Sequence, residues 1–541
     1  MKTAEEILKD ILNRRGISTE EDISEFLSDR PKKTYDPFLL LNMEAGVDLL
    51  LSEINSGKRI CIYGDYDADG VTSVCILSHV MSMLTDNFTY YIPSRFSEGY
   101  GLNMEAVSRI KDDGVDLIIT VDCGSVSYEE VEYAKRLGMK VIVTDHHSIE
   151  DVKADCILIN PKQKECGYPF TELAGCGIAF KMVQAICRKT GLPKSVINDV
   201  LDLAAIGTVG DIVALTDENR TIVKYGLMRI NEGRRKSLKR LAEAISLRTI
   251  TSENIAFGIA PHINAAGRMA HAKEAVELFQ AEDSRTIETK VAELVRFNTE
   301  RKAKQNDAYE RCMEKITGAE NFIVLDMDDI HEGIAGIVAG KIKETLNRPV
   351  IIVTPSGEGD LKGTGRSVES IDIFALLKRH DGLFKRFGGH RSACGFLMKK
   401  ENLDILRSEL NREVQLMLDG DPHMFDVPTV WDETITPGEL TMELAQGLEK
   451  LQPYGQANPK PVFRMCDVTV SKLRFMGDDA EHAGFTAVAS DGSRADCILF
   501  RKAGENADLL SSGGPVDITG TINIKEWMGR ESVQFVIEEV M

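Results

Sequence analysis

The sequence predicts an α/β protein with two α/β lobes joined by a long helix and a β-barrel at its C-terminal end. Between Arg59 and Ile159, short apolar runs alternate with amphipathic segments, a pattern typical of a mostly parallel, doubly wound sheet. Apolar runs and glycine-rich pieces between Asn321 and Leu418 indicate a second α/β lobe. From Phe425 onward the pattern changes to alternating strands, which predict a small barrel.

Length, composition and charge limit the class of protein. The 541 residues, of which 43% are hydrophobic, provide enough core for about three or four globular domains. No run approaches the roughly 18 apolar residues of a membrane span, and no C-x-x-C pair occurs among the 11 cysteines. These features predict a cytoplasmic protein with reduced thiols and no membrane partner. The net charge of −20 argues against a protein that coats duplex nucleic acid.

An acidic loop after a predicted strand is the first candidate functional site. The run Arg59 to Tyr63 predicts a buried strand, and Val71 to Met83 predicts a helix that opens at Gly70. Between them lie three carboxylates at alternate positions, those of Asp65, Asp67 and Asp69. Because unpaired buried anions are costly, these carboxylates need a cation. A solvated turn or a Ca²⁺ site is the alternative, whereas oxygen ligands combined with histidine favour Mn²⁺ or Mg²⁺.

Further polar residues follow other predicted elements. Asp122 comes after the run Asp116 to Val121, and Asp145-His146-His147 comes after Lys140 to Thr144. Asp211 follows the helical segment Asp202 to Val209. A single Asp in such a position is usually a turn residue or a helix cap. Because neighbouring parallel strands lie only about 5 Å apart, however, three polar strand ends would meet in one crevice.

Four of these segments together resemble the motifs of a known superfamily. In chain order they are Tyr63-Gly64-Asp65-Tyr66-Asp67-Ala68-Asp69-Gly70, Val121-Asp122-Cys123-Gly124, Asp145-His146-His147 and Ile206-Gly207-Thr208-Val209-Gly210-Asp211. The set resembles the four motifs of the DHH phosphoesterase superfamily. Within that superfamily, the chain resembles the RecJ family of single-stranded-DNA-specific exonucleases. Each motif alone is a weak signal, but four in the same order are specific.

The resemblance implies a catalytic centre that binds two divalent ions, Mn²⁺ or Mg²⁺. The residues themselves also support metal-assisted phosphodiester hydrolysis, in which one ion activates a water and the other stabilises the leaving oxyanion. Asp122 is expected to bridge the ions, and the resemblance implies that His147 contacts the scissile phosphate. The expected metal ligands are Asp65, Asp67, Asp69, Asp122, His146 and Asp211, and the expected catalytic residues are Asp122, His146 and His147.

The connector and the second lobe supply candidate phosphate-binding residues. The spacing of apolar and polar residues from Ile287 to Arg301 predicts a long connecting helix, while Ile263 to Arg268 is expected to be irregular. In the second lobe, the pieces Lys362 to Ser367 and Phe387 to Arg391 resemble the DHHA1 substrate-binding domain, with glycines that let backbone N–H groups approach an anion. The resemblance implies a pocket for a terminal 5′ phosphate. The expected DNA-binding residues are Arg95, Asn264, Arg268, Thr364, Arg366 and His390.

The C-terminal strands, which follow a predicted helix from Gly438 to Leu451, resemble an OB-fold. The linker from Leu451 to Pro461 resembles a family signature, with Ala457 where glycine is usual. Exposed aromatic residues on such a barrel can stack on bases. The candidates are Phe475, Phe485 and Trp527, although each is more typical of a core.

The expected domains are a helical segment (1–44), a DHH domain (45–225), a helical connector (226–320), a DHHA1 domain (321–420) and an OB-fold (421–541). The resemblance implies a metal-dependent 5′-to-3′ exonuclease that cuts single-stranded DNA to mononucleotides in DNA repair and recombination. Its expected partners are single-stranded DNA, a helicase and a single-strand-binding protein. Two alternatives remain: a DHH–DHHA1 phosphodiesterase for cyclic dinucleotides or short oligonucleotides, and a non-catalytic single-strand-binding replication scaffold. The C-terminal barrel argues against the first alternative, and the intact motifs argue against the second.

Overall fold

The first lobe contains the doubly wound parallel sheet that the alternating pattern predicts. The computed structural model describes residues 2–149, 152–357 and 359–541. The strand order is β2-β1-β3-β4-β5, and every neighbouring pair is parallel. The elements up to the end of this lobe are α1 (Ala4–Arg14), α2 (Glu20–Leu27), α3 (Met43–Asn55), β1 (Ile60–Tyr63), α4 (Ala68–Met81), β2 (Phe88–Tyr91), α5 (Met104–Asp112), β3 (Leu117–Val121), α6 (Tyr128–Arg136), β4 (Lys140–Thr144), β5 (Ile157–Ile159), α7 (Gly175–Thr190), α8 (Ser195–Asn198) and α9 (Leu201–Gly210).

The start of α4 differs from the sequence expectation. The helix predicted to open at Gly70 begins two residues earlier, at Ala68. Asp67 is its N-cap, because its Oδ1 accepts the backbone N–H groups of Asp69 and Gly70 at 2.9 and 3.0 Å. Asp69 therefore lies in the first turn of the helix and not in a loop.

The connector consists of helices joined by short turns, and the expectation that Ile263 to Arg268 is irregular is wrong. These residues lie within α13, which has Pro261 in its first turn. Gly267 permits close packing, since a Cβ there would lie 2.7 Å from the carbonyl oxygen of Tyr66. A π-helical turn, Ile255–Ile259, precedes α13. The connector helices are α10 (Asp217–Asn231), α11 (Lys236–Ala244), α12 (Ser252–Asn254), α13 (Ala260–Met269), α14 (Lys273–Gln280) and α15 (Ser284–Lys315), the last being the long helix.

The second lobe has a mixed five-stranded sheet in the order β6-β7-β8-β10-β9, in which only β6 and β7 pair in parallel. Gly363 and Gly365 lie on its buried face, where a Cβ would meet the rings and side chains of Phe396 and Cys394. These two glycines therefore make room for core side chains, and they do not expose backbone N–H groups to an anion as the sequence suggested. The elements are β6 (Ile323–Asp326), α16 (Glu332–Leu346), β7 (Val350–Pro355), β8 (Asp360–Arg366), α17 (Ile373–Lys378), β9 (Phe384–His390), β10 (Ala393–Lys399) and α18 (Leu403–Gly420).

In the C-terminal part, hydrogen-bonded pairs link β12 to β13, β13 to β14, β14 to β16, β16 to β15 and β15 back to β12. Phe485 points into the core and is 4% exposed, so it is not a stacking platform, whereas Phe475 is 42% exposed. The side chain of Trp527 lies outside those described. The elements are β11 (Glu433–Thr434), α19 (Met442–Glu449), β12 (Phe463–Met476), β13 (His482–Val488), β14 (Arg494–Leu499), α20 (Ala507–Ser511), β15 (Pro515–Trp527) and β16 (Arg530–Val540).

The helix α1 belongs to the core of this C-terminal part. Ile7, Leu8, Ile11 and Leu12 share one hydrophobic cluster with residues of α19 and the strands, including Leu444. Arg14 and Arg15 reinforce the contact by pairing with Glu433 and Asp432. The two ends of the chain are therefore packed together. None of the helices described is long and apolar enough to cross a membrane.

Candidate metal centre

The carboxyl ends of β1, β3 and β4 bring the predicted polar residues to one place, where the end of α9 joins them. His146 Nε2 lies 3.1 Å from Asp122 Oδ1, 3.5 Å from Asp211 Oδ2 and 3.8 Å from Asp69 Oδ2. The strand order reverses between β1 and β3, and such a switch point is where open α/β sheets bind ligands. The strand ends therefore converge in one crevice, as the sequence predicted.

The donor atoms form three overlapping groups, in each of which the atoms lie within 4.8 Å of one another. Asp122 belongs to two of the groups, so its carboxylate lies between Asp65 and Asp67 on one side and His146 on the other. The groups are Asp65, Asp67 and Asp122; Asp69, His146 and Asp211; and Asp122, His146 and His147.

The backbone at Asp122 and the start of α7 hold the centre in place. Asp122 has a φ of 62°, a left-handed conformation that costs a non-glycine residue energy and is concentrated at functional sites. Asp69 accepts two backbone N–H groups from the N-terminus of α7, those of Gly175 and Cys176, each at 2.7 Å. A Cβ at Gly175 would lie 2.5 to 2.7 Å from atoms of the Asp122 side chain. Gly175 therefore leaves the space that the Asp122 side chain occupies.

Sequence reasoning did not identify Gly175 and Cys176. The only signal was the Gly175-Cys176-Gly177 triplet at the head of an apolar helical run, a pattern that by itself indicates helix packing. Asp145, noted as part of a motif but given no role, is a second such residue. It accepts hydrogen bonds from the backbone of Ser125, His146 and His147 and from the His147 ring.

The electrostatics of the centre show an excess of negative charge. Burial, followed by repulsion from Asp67, raises the pKa of Asp69 to about 6. Burial and the charges of Asp69 and Asp67 raise the pKa of Asp211 to about 9. The pKa values of Asp65 and Asp122 are raised well above their usual range, first by burial and then by neighbouring aspartates. Burial lowers the pKa of His146 to about 3, so the ring is neutral and one of its nitrogens is available as a ligand.

These residues fit divalent cations. Asp65 Oδ1, Asp122 Oδ1 and both ring nitrogens of His146 are buried and have no hydrogen-bond partner among the described residues. Buried polar atoms are normally paired, so these unpaired carboxylate oxygens and the unprotonated nitrogen of His146 indicate a site for a cation. Carboxylate oxygens with one or two imidazole nitrogens suit Mn²⁺ or Mg²⁺ better than a thiolate-preferring metal.

His147 lies at the solvent side of the centre, between Asp145 and Tyr100. Its Nδ1 is 2.7 Å from Asp145 Oδ1, and the Tyr100 hydroxyl is 3.1 and 3.2 Å from its two nitrogens. Burial opposes a charged His147, but the hydrogen bond to Asp145 prevails and raises the pKa of His147 to about 9. Tyr100 is 53% exposed, and no sequence motif singled it out.

A cluster of arginines lies between the lobes. Arg95 stacks over the Tyr66 ring at 4.0 Å, and Arg268 Nη1 donates to the carbonyl of Gly333 at 2.9 Å. A Cβ at Gly336 would lie 3.0 Å from Arg366 Nη2 and 3.4 Å from Thr364 Oγ1, which places both side chains against α16. Burial, and then the charges of Arg95, Arg301 and Arg366, lower the pKa of Arg268 to about 9.

No ion pair neutralises Arg95, Arg268 or Arg366 within the part of the chain that the structure describes. The charges of Arg95 and Arg366 act on Arg268, and although Asp67 also acts on it, guanidinium groups gathered in this way without an ion pair make a site for an anion. Two other predicted residues lie elsewhere. Asn264 Oδ1 accepts the N–H of Ala68 at 2.7 Å and so helps to cap α4. His390 is exposed on β9, two strands or about 10 Å away from Arg366 in the sheet register.

Comparisons with known proteins agree with this architecture. Three family models match the chain: the DHH family, N-terminal domain, over residues 59–208, the DHHA1 domain over 319–416 and the RecJ OB domain over 431–539. The chain is similar to the single-stranded-DNA-specific exonuclease RecJ of Bacillus subtilis, at 36% identity over 98% of this chain and 67% of the relative. It is similar to the protein of the same description from Escherichia coli at 31% identity, over 99% of this chain and 95% of the relative.

Solved structures show the same likeness. The crystal structure of RecJ in complex with Mn²⁺ from Thermus thermophilus superposes with a TM-score of 0.85 at 27% identity, covering 99% of this chain and 76% of that one. The structure of RecJ from the same organism in complex with Mg²⁺ has a TM-score of 0.78 at 27% identity, covering 99% of this chain and 74% of that one. Those proteins bind the two metals for which the acidic centre of this chain has suitable ligands.

Proposed function

Because the chain belongs to the RecJ family of single-stranded-DNA-specific exonucleases, we propose that it removes mononucleotides from the 5′ end of single-stranded DNA, with Mn²⁺ or Mg²⁺ as cofactor. The proposed 5′-to-3′ direction rests on the arginine cluster without ion pairs at the interface of the lobes, close to the acidic centre. A terminal phosphate has the charge and the oxygen geometry that guanidinium groups bind. A pocket that ends in such a cluster excludes internal cutting, because the strand cannot continue past it.

The ligands of the metal centre are proposed to be Asp65, Asp67, Asp69, Asp122, His146 and Asp211. The bound metal would polarise the scissile phosphate and lower the pKa of a water. The protein supplies orientation. Asp145 accepts a hydrogen bond from Nδ1 of His147, since an ionised carboxylate can only accept, and Nε2 lies beside the hydroxyl of the exposed Tyr100. His147 is thereby positioned to donate to a phosphate oxygen.

On the substrate side, Arg95, Arg268 and Arg366 would bind the terminal phosphate together with Thr364. Arg268 comes from the connector and Arg366 from the second lobe, so both sides of the cleft contribute. Asn264 accepts a hydrogen bond at the N-terminus of α4 and so holds the metal-binding turn in place. It is also proposed to contact the DNA strand. His390 is proposed to contact the adjacent DNA backbone.

We assign the domains as expected from the sequence, with residues 45–225 as the catalytic domain, 321–420 as the substrate-binding domain and 421–541 as the OB-fold. The proposal extends to a role in DNA repair and recombination in the cytoplasm, with a helicase and a single-strand-binding protein as partners. Its support is the family likeness over the whole chain. The alternative activities on cyclic dinucleotides, or binding without cutting, are not favoured, because the chain matches the RecJ OB domain and all of the proposed ligand residues lie together at one site.

A nuclease assay tests the proposal. The protein with Mn²⁺ is given single strands labelled at the 5′ or the 3′ end, matching duplexes, and a cyclic dinucleotide. Early release of 5′-labelled mononucleotide with gradual shortening of the 3′-labelled strand is the expected result. Release from the 3′ end, internal cutting, or faster hydrolysis of the cyclic dinucleotide would each contradict it.

A further inference from the structure

One loop carries residues of two different parts of the site. It joins β2 to α5, and its central segment is residues 94–101. Near the start of this segment, Arg95 stacks over the ring of Tyr66 in the metal-binding turn at 4.0 Å. Near its end, the hydroxyl of Tyr100 lies 3.1 Å from Nε2 of His147. The path of this backbone therefore sets the position of an arginine of the proposed phosphate site and of the tyrosine beside His147.

Glu98 closes this loop from within. Its side chain is 6% exposed, and its Oε2 accepts the backbone N–H of Ser94 at 2.7 Å. The backbone N–H groups of Glu98 and Gly99 donate to the carbonyl of Ser94 at 3.0 and 3.1 Å. The other carboxylate oxygen accepts the hydroxyl of Tyr91, at the end of β2, and lies 3.4 Å from Nη1 of Arg109 on α5. One carboxylate thus joins the start of the loop to the strand before it and to the helix after it.

The end of the loop is held by β1. The hydroxyl of Tyr63 donates to the carbonyl of Gly101 at 2.9 Å, and the Tyr63 ring stacks on the Tyr91 ring at 5.4 Å. Gly99 and Gly101 both have a φ of 81°, and no atom of the described residues beyond their chain neighbours lies within 4 Å of a Cβ built on either. These glycines therefore serve the turn and not close packing. The loop is thus fixed at its end by Tyr63 and nearer its start by Glu98.

The direction of Arg95 depends on the backbone that Glu98 holds. The Nε atom of Arg95 is buried and has no hydrogen-bond partner among the described residues. Its stacking contact with Tyr66 restrains the direction of the guanidinium less than a hydrogen bond would. Tyr100, two residues after Glu98, is 53% exposed and likewise takes its position from the loop. A change in the turn that Glu98 closes would therefore move both side chains.

We propose that Glu98 is a positioning residue that links recognition of the terminal 5′ phosphate to the alignment of His147. This assignment rests on the proposed function. Glu98 acts through the loop, from which Arg95 reaches the phosphate and Tyr100 contacts His147. When the loop loosens, both contacts are lost together. Removal of this carboxylate, which lies outside the proposed metal ligands, is therefore expected to change the choice between substrates as well as the rate.

A comparison of 5′-phosphorylated and 5′-hydroxyl single strands tests the proposal. Both substrates are given with Mn²⁺ to the same preparation, so any loss of folded protein cancels in the ratio of the two kcat/KM values. Glu98→Ala is expected to lower kcat/KM about a hundredfold on 5′-phosphorylated strands and about tenfold on 5′-hydroxyl strands, because only the former also lose the contact with Arg95. Without metal, the preference for binding 5′-phosphorylated over 5′-hydroxyl strands, measured by fluorescence anisotropy, should fall by about the same tenfold ratio.

Two further variants separate this role from other causes. Glu98→Gln keeps an oxygen for the N–H of Ser94 and an amide group that can donate to the Tyr91 hydroxyl, so it should restore the ratio to within about twofold. Glu105→Ala is the matched control, because Glu105 also pairs with Arg109 but makes no hydrogen bond to the loop among the described residues. Its ratio should equal that of the wild type.

The outcomes distinguish the positioning role from the proposed function. A ratio that is the same in Glu98→Ala and wild type would overturn the positioning role. A Glu98→Gln variant that behaves like Glu98→Ala, or a Glu105→Ala variant that shifts the ratio, would overturn it as well. A wild-type protein that does not prefer 5′-phosphorylated strands, or does not degrade single strands from the 5′ end, would instead refute the proposed function.

Discussion

Replacement of Gly175 by alanine should inactivate the metal centre although none of the proposed metal ligands is substituted. The new Cβ would lie 2.5 Å from the Cβ of Asp122 and 2.6 Å from its Oδ1. Ordinary contact needs about 3.4 Å or more, so the Asp122 carboxylate or the start of α7 must shift by roughly 0.7 to 0.9 Å. The same helix turn supplies the two N–H groups that hold Asp69, and its movement would also misplace that carboxylate.

The expected loss is large for activity and small for stability. Displacements of about 1 Å in a catalytic arrangement can cost on the order of a hundredfold, and we expect kcat/KM on 5′-phosphorylated single strands to fall by that factor. Overpacking of a buried site typically costs about 1 to 3 kcal/mol in the free energy of unfolding. Calorimetric titration of Mn²⁺ should show weaker binding, and thermal unfolding should show a modest decrease in Tm.

A neighbouring glycine on α7 provides the matched control. At Gly177 the nearest atom to a new Cβ is the end of the Leu173 side chain at 3.3 Å, which can adjust. Gly177→Ala should therefore retain activity and Mn²⁺ affinity within about twofold. Wild-type Mn²⁺ affinity and activity in Gly175→Ala would refute the argument that the empty space beside Asp122 is required.

Three further predictions follow from the site and the linker. Asp122→Ala should abolish turnover while leaving metal-free Tm unchanged or raised, because it relieves carboxylate repulsion; substantial activity at saturating Mn²⁺ would remove Asp122 from the bridging role. Arg366→Ala should reduce kcat/KM about ten- to a hundredfold on 5′-phosphorylated strands and much less on 5′-hydroxyl strands, and equal slowing of both would contradict terminal recognition. Ala457 has a φ of 58°, a left-handed conformation that glycine adopts at lower energy than alanine. Ala457→Gly should therefore raise the free energy of unfolding, measured in urea, by up to about 1 kcal/mol. A decrease would show that the left-handed backbone at this position carries no strain.

The sequence predicted the elements that local patterns specify. The strands of the first lobe follow apolar runs, and the polar residues after them identify a common edge, so most ligands could be proposed before the structure was known. Asp67 illustrates the limit of such patterns. Alternation of carboxylates indicated a loop, but an aspartate is also a good N-cap, and the helix begins directly after it.

The other differences from the sequence expectation concern contacts between distant segments. Gly267 suggested that Ile263 to Arg268 is irregular. In the structure a glycine is needed there because the helix passes close to the backbone of Tyr66, which is far away in sequence. The packing of Gly175 against Asp122 is equally non-local. A single sequence does not record which remote atom occupies the space beside a glycine. Ala457 is an exception, because the family signature that usually has glycine at this position indicated a backbone that favours glycine. The φ of Ala457 is indeed left-handed.

The packing of α1 against the C-terminal strands has a consequence for synthesis on the ribosome. Arg14 pairs with Glu433, which is 419 residues later in the chain. At translation rates of about 5 to 20 residues per second, the apolar face of α1 waits roughly 20 to 80 s for its partner. During that time Ile7, Leu8 and Ile11 have no core to enter, so nascent chains should depend on chaperones. Ribosome-bound chains halted at residue 420 should be cleaved within α1 by a protease, and full-length chains should resist; protection of the halted chains would show that α1 finds another partner first.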